Sequence, residues 1–153
     1  MVPLTYTLYF TLSFLPLLLG GIVGFIIAPF MQYNELPLPK LAPPAYLFPI
    51  VWTILYFLMG VSYILLEWNN QVDEQVRKAY YLQLIINLIW PILFFIFQWV
   101  GFSAIWLVLL IASVIYMIQI FYPKQKLSAI LQIPYLIWLF FALYLNIAIW
   151  LLK

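Results

Sequence analysis

The placement of charge constrains this chain more than any other feature. Its four acidic and six basic residues stand in only four places. Glu35 and Lys40 share the first. Glu67, Asp73, Glu74, Arg77 and Lys78 share the second, Lys124 and Lys126 the third, and Lys153 stands alone. A charge at the centre of a bilayer costs about 3 kcal/mol or more, so these positions mark water-facing joints. Between them lie apolar runs of the length a helix needs to cross about 30 Å of hydrocarbon, roughly 20 residues. Composition agrees. The chain is 69% hydrophobic and 7% charged, whereas a soluble domain carries about a quarter charged residues. The class that follows is an integral multi-pass membrane protein.

Five runs qualify, at 4–30, 46–66, 79–97, 102–122 and 128–152. They predict an all-α membrane protein, a bundle of five transmembrane helices forming one domain over 1–153. The first run lacks a basic leading region and is long enough to be a retained span rather than a signal peptide. No targeting segment is recognised, which points to a bacterial cell membrane. Loop 31–45 contains "LPLPKLAPP", and proline fixes φ and removes a backbone donor, so this loop is expected to be extended. The tight joints at 98–101 and 123–127 make the third, fourth and fifth helices successive antiparallel neighbours. Arg77, Lys78, Lys124 and Lys126 fall on the side of the N-terminus, against Lys40 and Lys153 on the other. That bias predicts a cytoplasmic N-terminus.

Several chemistries lack their residues. The chain has no cysteine and no histidine, so thiolate chemistry, disulfides and the commonest metal ligand and general base are missing. No metal site is expected. No Asp, Glu, Lys or Arg lies inside a span to carry a proton relay or ion path. No basic stripe is present, so nucleic acid is not an expected partner. What remains is an apolar, aromatic-rich interior with a few amides, suited to a flat hydrophobic ligand.

Helical spacing groups those residues. Gln83, Asn87, Trp90 and Phe94 recur at steps of four, three and four and share one face of the third helix. Asn87, near mid-span, reads either as interhelical glue or as a polar anchor in a cavity. Pro91 removes one helical hydrogen bond beside it. On the fifth helix, Pro134, Tyr135, Trp138, Ala142, Leu145 and Asn146 include a second face. Trp138 lies far from both ends of its run, where its N–H needs a partner or a cavity. Trp68, Trp99 and Trp150 lie near run ends and read as interfacial anchors. Trp52, Tyr56 and Gly60 share a face of the second helix. Gly20, Gly24 and Ala28 form a small-residue ridge on the first, for packing or for a homodimer.

Three stretches carry a family resemblance. "LAPPAYLFPIVWTILYFLMG" (41–60), "LQLIINLIWPILFF" (82–95) and "IPYLIWLFFALYLN" (133–146) resemble, in order, the second-, third- and fifth-helix signatures of the tryptophan-rich sensory protein/translocator protein family, also called peripheral benzodiazepine receptors. The resemblance implies a five-helix bundle, often dimeric, with a pocket under a lid formed by the loop between helices 1 and 2. It implies a receptor or transporter that binds porphyrins such as protoporphyrin IX and haem as ligands. No cofactor is required, and sterols and membrane lipid are further partners. It also implies an alternative, light-dependent porphyrin breakdown attributed to pocket tryptophans, here Trp52 and Trp138. The positions that match the family's ligand site are Tyr33, Pro43 and Pro44 in the lid; Phe48, Val51 and Trp52 on helix 2; Asn87, Trp90 and, on the same face, Phe94 on helix 3; and Trp138, Ala142 and Leu145 on helix 5.

The chain departs from the family pattern in two places. Gln32 precedes Tyr33 where many members have Trp, and Ile147 follows Asn146 where the sterol-recognition pattern has Tyr. With no histidine as an axial ligand, haem would be held by stacking or by a weaker ligand such as Tyr. Pro43, Pro44 and Pro49 have two readings: a stiffened lid that loses little entropy on closing, or a stop that keeps helix 2 from extending.

Overall fold

A computed structural model describes residues 4–153. Among them the spans are built from helical segments and no strand forms. The elements are α1 (Leu4–Ser13), α2 (Leu15–Ile27), α3 (Leu47–Trp68), α4 (Glu74–Pro91), α5 (Val100–Lys124), α6 (Lys126–Ile130) and α7 (Ile133–Leu152). Five segments are long and apolar enough to cross a membrane: Thr5–Phe30, Leu47–Trp68, Glu74–Ile96, Val100–Phe121 and Lys126–Leu152.

The first span is not one helix. It breaks at Phe14, between α1 and α2. Pro16 stands in the first turn of α2 and cannot donate a backbone hydrogen bond. The Ser13 hydroxyl bonds back to the Tyr9 carbonyl at 2.8 Å, a contact that bends helices. The third span starts earlier than apolarity alone suggests. Asp73 caps α4, accepting from the Val76 N–H at 2.9 Å, so helix begins in the charged joint. After Pro91 the same span continues as a π-helical turn, Ile92–Ile96, closed by the Phe97 N–H on the Ile92 carbonyl at 3.1 Å. The fifth span starts as α6 and resumes as α7 after a short break.

α5 occupies the centre of the packing. Its Leu107, Leu110, Val114, Met117 and Phe121 are fully buried. The tight joints pack α4 against α5 and α5 against α7. Helix 1 packs on α3 through two glycines. A Cβ on Gly60 would come within 2.6 Å of the Ser13 carbonyl oxygen, and one on Gly20 would overlap the Tyr56 ring. α6 meets α3 through a reciprocal clasp, in which each of Ser62 and Ser128 donates its hydroxyl to the other's carbonyl at 2.8 Å.

The outward faces are apolar, with Phe25, Ile105 and Leu151 exposed as a lipid contact requires. Trp68, Trp99 and Trp150 are exposed near span ends.

Candidate ligand cavity

A cavity of about 500 Å³ lies among four of the five spans. This is within the range of sites that enclose a drug-sized ligand. Its wall comes from 17–33, 48–56, 87–95 and 142–149. Because successive spans run in opposite directions, these stretches are the ends of each span nearest loop 31–45. The cavity therefore occupies the loop-side half of the bundle.

Three elements supply its aromatic wall. α3 gives Phe48, Trp52 and Tyr56; α4 gives Trp90; the π turn gives Phe94 and Phe95. The rings pack on one another. Trp52 and Tyr56 lie 5.4 Å apart, Trp90 and Phe94 5.5 Å, and Phe94 and Phe95 meet edge to face at 4.8 Å. α7 gives Ala142 and Leu145, and helix 1 gives a stretch that includes Gly20, Gly21 and Gly24.

Two hydrogen-bonded clusters hold this wall in place. In the first, Tyr56 donates to the Asn87 amide oxygen at 2.7 Å, and the Asn87 amide nitrogen donates to the Tyr135 hydroxyl at 2.8 Å. Tyr135 in turn donates to Gln83 at 2.9 Å. In the second, Asn146 accepts from the Trp90 indole at 3.1 Å and from Ser103 at 2.9 Å, and donates to the Val100 carbonyl at 2.7 Å. Buried amides need such partners, since an unmade bond costs about 1–3 kcal/mol. Asn87 combines both roles considered for it: it joins three spans and also lines the cavity.

The roof is a buried tyrosine. Tyr33 packs edge to face on Phe48 at 5.0 Å and donates its hydroxyl to the Pro43 carbonyl at 2.9 Å. Burial raises its pKa above the ordinary tyrosine value, so the phenol stays neutral and keeps donating. Pro44 accepts from the Leu47 N–H at 3.0 Å in the turn that leads into α3. The prolines thus set the course of the loop and the start of α3, while Pro49, inside α3, does reach the cavity.

Of the twelve expected ligand-site positions, the structure brings Tyr33, Phe48, Trp52, Asn87, Trp90, Phe94, Ala142 and Leu145 together around one space. Pro43, Pro44, Val51 and Trp138 do not line that space. Pro43 holds Tyr33 from outside. Val51 packs against the hydrophobic core. Trp138 stands behind Phe48, edge to face at 5.9 Å, and its indole N–H is buried with no protein partner among the described residues.

Sequence reasoning missed the glycines of helix 1 and Phe95. A glycine carries no side chain to read, whereas Phe95 stands four residues after Pro91 and eight after Asn87, a helical spacing that places it on the same face. Gly20, Gly24 and Ala28 of the small-residue ridge line the cavity, and Gly20 also packs on Tyr56. Among the described residues no Asp, Glu, Lys or Arg reaches the cavity. What the wall offers is stacking surface, tyrosine hydroxyls and amide groups.

Comparison with known proteins matches the TspO/MBR family over residues 12–151. Tryptophan-rich protein TspO of Archaeoglobus fulgidus is 37% identical over 146 residues, covering 92% of this chain and 94% of the relative. Protein CrtK of Rhodobacter capsulatus is 31% identical over 144 residues, 92% and 90% respectively. The human translocator protein is 32% identical over 122 residues, 77% of this chain and 72% of the relative.

Proposed function

The chain belongs to the TspO/MBR family of membrane proteins, and from that premise we propose that it is a receptor or transporter for porphyrins and other flat hydrophobic ligands. One observation carries the reading: a cavity of about 500 Å³ walled by Trp52, Tyr56, Trp90 and Phe94 and roofed by Tyr33. Aromatic faces stack on a conjugated ring, and the amides and hydroxyls between them orient its polar edge. The sequence supplies no ion-coupling charge inside the spans, which favours a passive binder or carrier over a pump.

Titration of the purified protein with protoporphyrin IX tests this. Saturable quenching of tryptophan fluorescence is expected, weakened by Trp52→Phe and Trp90→Phe. Quenching that never saturates would count against a defined site.

A second reading, light-dependent breakdown of bound porphyrin, draws support from the Trp52–Tyr56 pair, two oxidisable rings 5.4 Å apart on the wall. Under illumination in air, oxygen would be the oxidant. Faster loss of the porphyrin's main absorption band with protein than in detergent alone would support it; equal rates would remove it.

The proposal also places the N-terminus on the cytoplasmic side of a bacterial cell membrane and pairs two copies of the chain. Labelling of single introduced cysteines from either side, and crosslinking in the membrane, test these two points.

A further inference from the structure

Helix 1 carries Gly20, Gly21 and Gly24 within little more than one turn, and packing accounts for only the first. Gly20 must lack a side chain because the Tyr56 ring occupies that space. Gly21 and Gly24 are different. A Cβ added at either meets nothing within 4 Å, and neither has a positive φ. Neither a close helix contact nor a turn requires glycine there. Glycine inside a helix is nonetheless worse than alanine by about 0.5–1 kcal/mol. What the two positions share is the cavity, which both line.

Resting on the reading of that cavity as a hydrophobic ligand site, we propose that Gly21 and Gly24 set its width and so select ligands with a broad, rigid ring face. At Gly21 and Gly24 helix 1 presents bare backbone to the space, between the side chains of Leu17, Val23 and Ile27, whereas α3, α4 and the π turn present rings. A gap in the wall at those two positions lets a planar molecule approach the helix at van der Waals distance. An isobutyl group at either position would project into the volume the ring needs and leave room only for a narrower guest. The glycines are thus specificity-determining residues that give up helix stability for open space.

The test uses the full-length protein in detergent with three probes of graded size: naphthalene, pyrene and protoporphyrin IX. Gly21→Leu and Gly24→Leu are compared with Gly24→Ala and the unsubstituted chain by tryptophan quenching and by thermal midpoint. Both Leu variants are expected to lose protoporphyrin affinity by about tenfold or more, Gly24→Ala by a few-fold, and naphthalene binding is expected to stay within about twofold. Thermal midpoints are expected to hold or rise, which a packing role would not allow. Unchanged porphyrin binding in both Leu variants overturns the proposal, as does a fall in midpoint with loss of all three probes. If the unsubstituted chain binds naphthalene and pyrene but not porphyrin, the porphyrin assignment falls and the pyrene affinities of the variants decide on the glycines. If it binds no probe, both readings fall.

Discussion

The hydroxyl of Tyr56 donates to the side-chain oxygen of Asn87 at 2.7 Å, and both residues line the cavity. The bond ties α3 to the third span where the two form a common wall. The other end of the same amide reaches Tyr135 on α7. One carboxamide therefore fixes the separation of three helices around an open space.

Replacing that amide should loosen all three. Asn87→Leu leaves the Tyr56 hydroxyl buried without its acceptor and is expected to cost about 1–3 kcal/mol. Tyr56→Phe removes one bond and is expected to cost about 0.6 kcal/mol, the typical value for an interhelical hydrogen bond in a membrane. Thermal unfolding in detergent checks the order, and a larger loss in Tyr56→Phe would remove Asn87 as the hub.

The two mid-span tryptophans should separate in binding. Trp52 is on the cavity wall and Trp138 stands behind Phe48. Trp52→Phe is expected to weaken protoporphyrin IX binding several-fold. Trp138→Phe is expected to leave it within about twofold, since Trp138 does not line the cavity. Equal losses in the two variants would put Trp138 in the site.

The contact between helix 1 and α3 should be sensitive to alanine at its two packing glycines, Gly20 on α2 and Gly60 on α3, and unequally so. At Gly60 the added Cβ meets the Ser13 backbone oxygen at 2.6 Å, which can move only with its helix. At Gly20 it meets the side chain of Tyr56. Overpacking costs about 1–3 kcal/mol, and Gly60→Ala is expected at the upper end. Midpoints of the two variants, measured side by side, test the ranking.

Acid should weaken the joint between the second and third spans. The hydrogen bond from Lys124 and the backbone N–H of Val76 hold the Asp73 carboxyl below its ordinary value of 3.8. A depressed carboxylate stabilises the fold above its unfolded pKa, and that contribution fades as pH falls through the folded one. The midpoint gap between the unsubstituted chain and Asp73→Asn should therefore be full above about pH 5 and close as pH drops below about 4. A gap that widens on acidification would contradict the assignment.

Much of this arrangement was legible in the sequence because two periodicities expose it. Charge placement marked the joints, and the spacing of Gln83, Asn87, Trp90 and Phe94 marked a face that is indeed buried along its length. The same helical spacing extends to Pro91 and Phe95, four and eight residues after Asn87, which also line the cavity. Trp138 falls on the helix face of Ala142 and Leu145, but a face does not say which of its residues reach a cavity: Ala142 and Leu145 line it, and Trp138 meets the lining ring of Phe48. The glycine wall was hidden for a simpler reason. Sequence records side chains, and Gly21 and Gly24 act through not having any.

The interruption at Phe14 divides the first span into two separately seated pieces. α1 is seated by its final carbonyl against Gly60, while α2 carries the bare surface that faces the ligand space. Pro16 donates no backbone hydrogen bond across that break, so each piece is held by its own contact with α3: α1 by Ser13 on Gly60, and α2 by Gly20 on Tyr56.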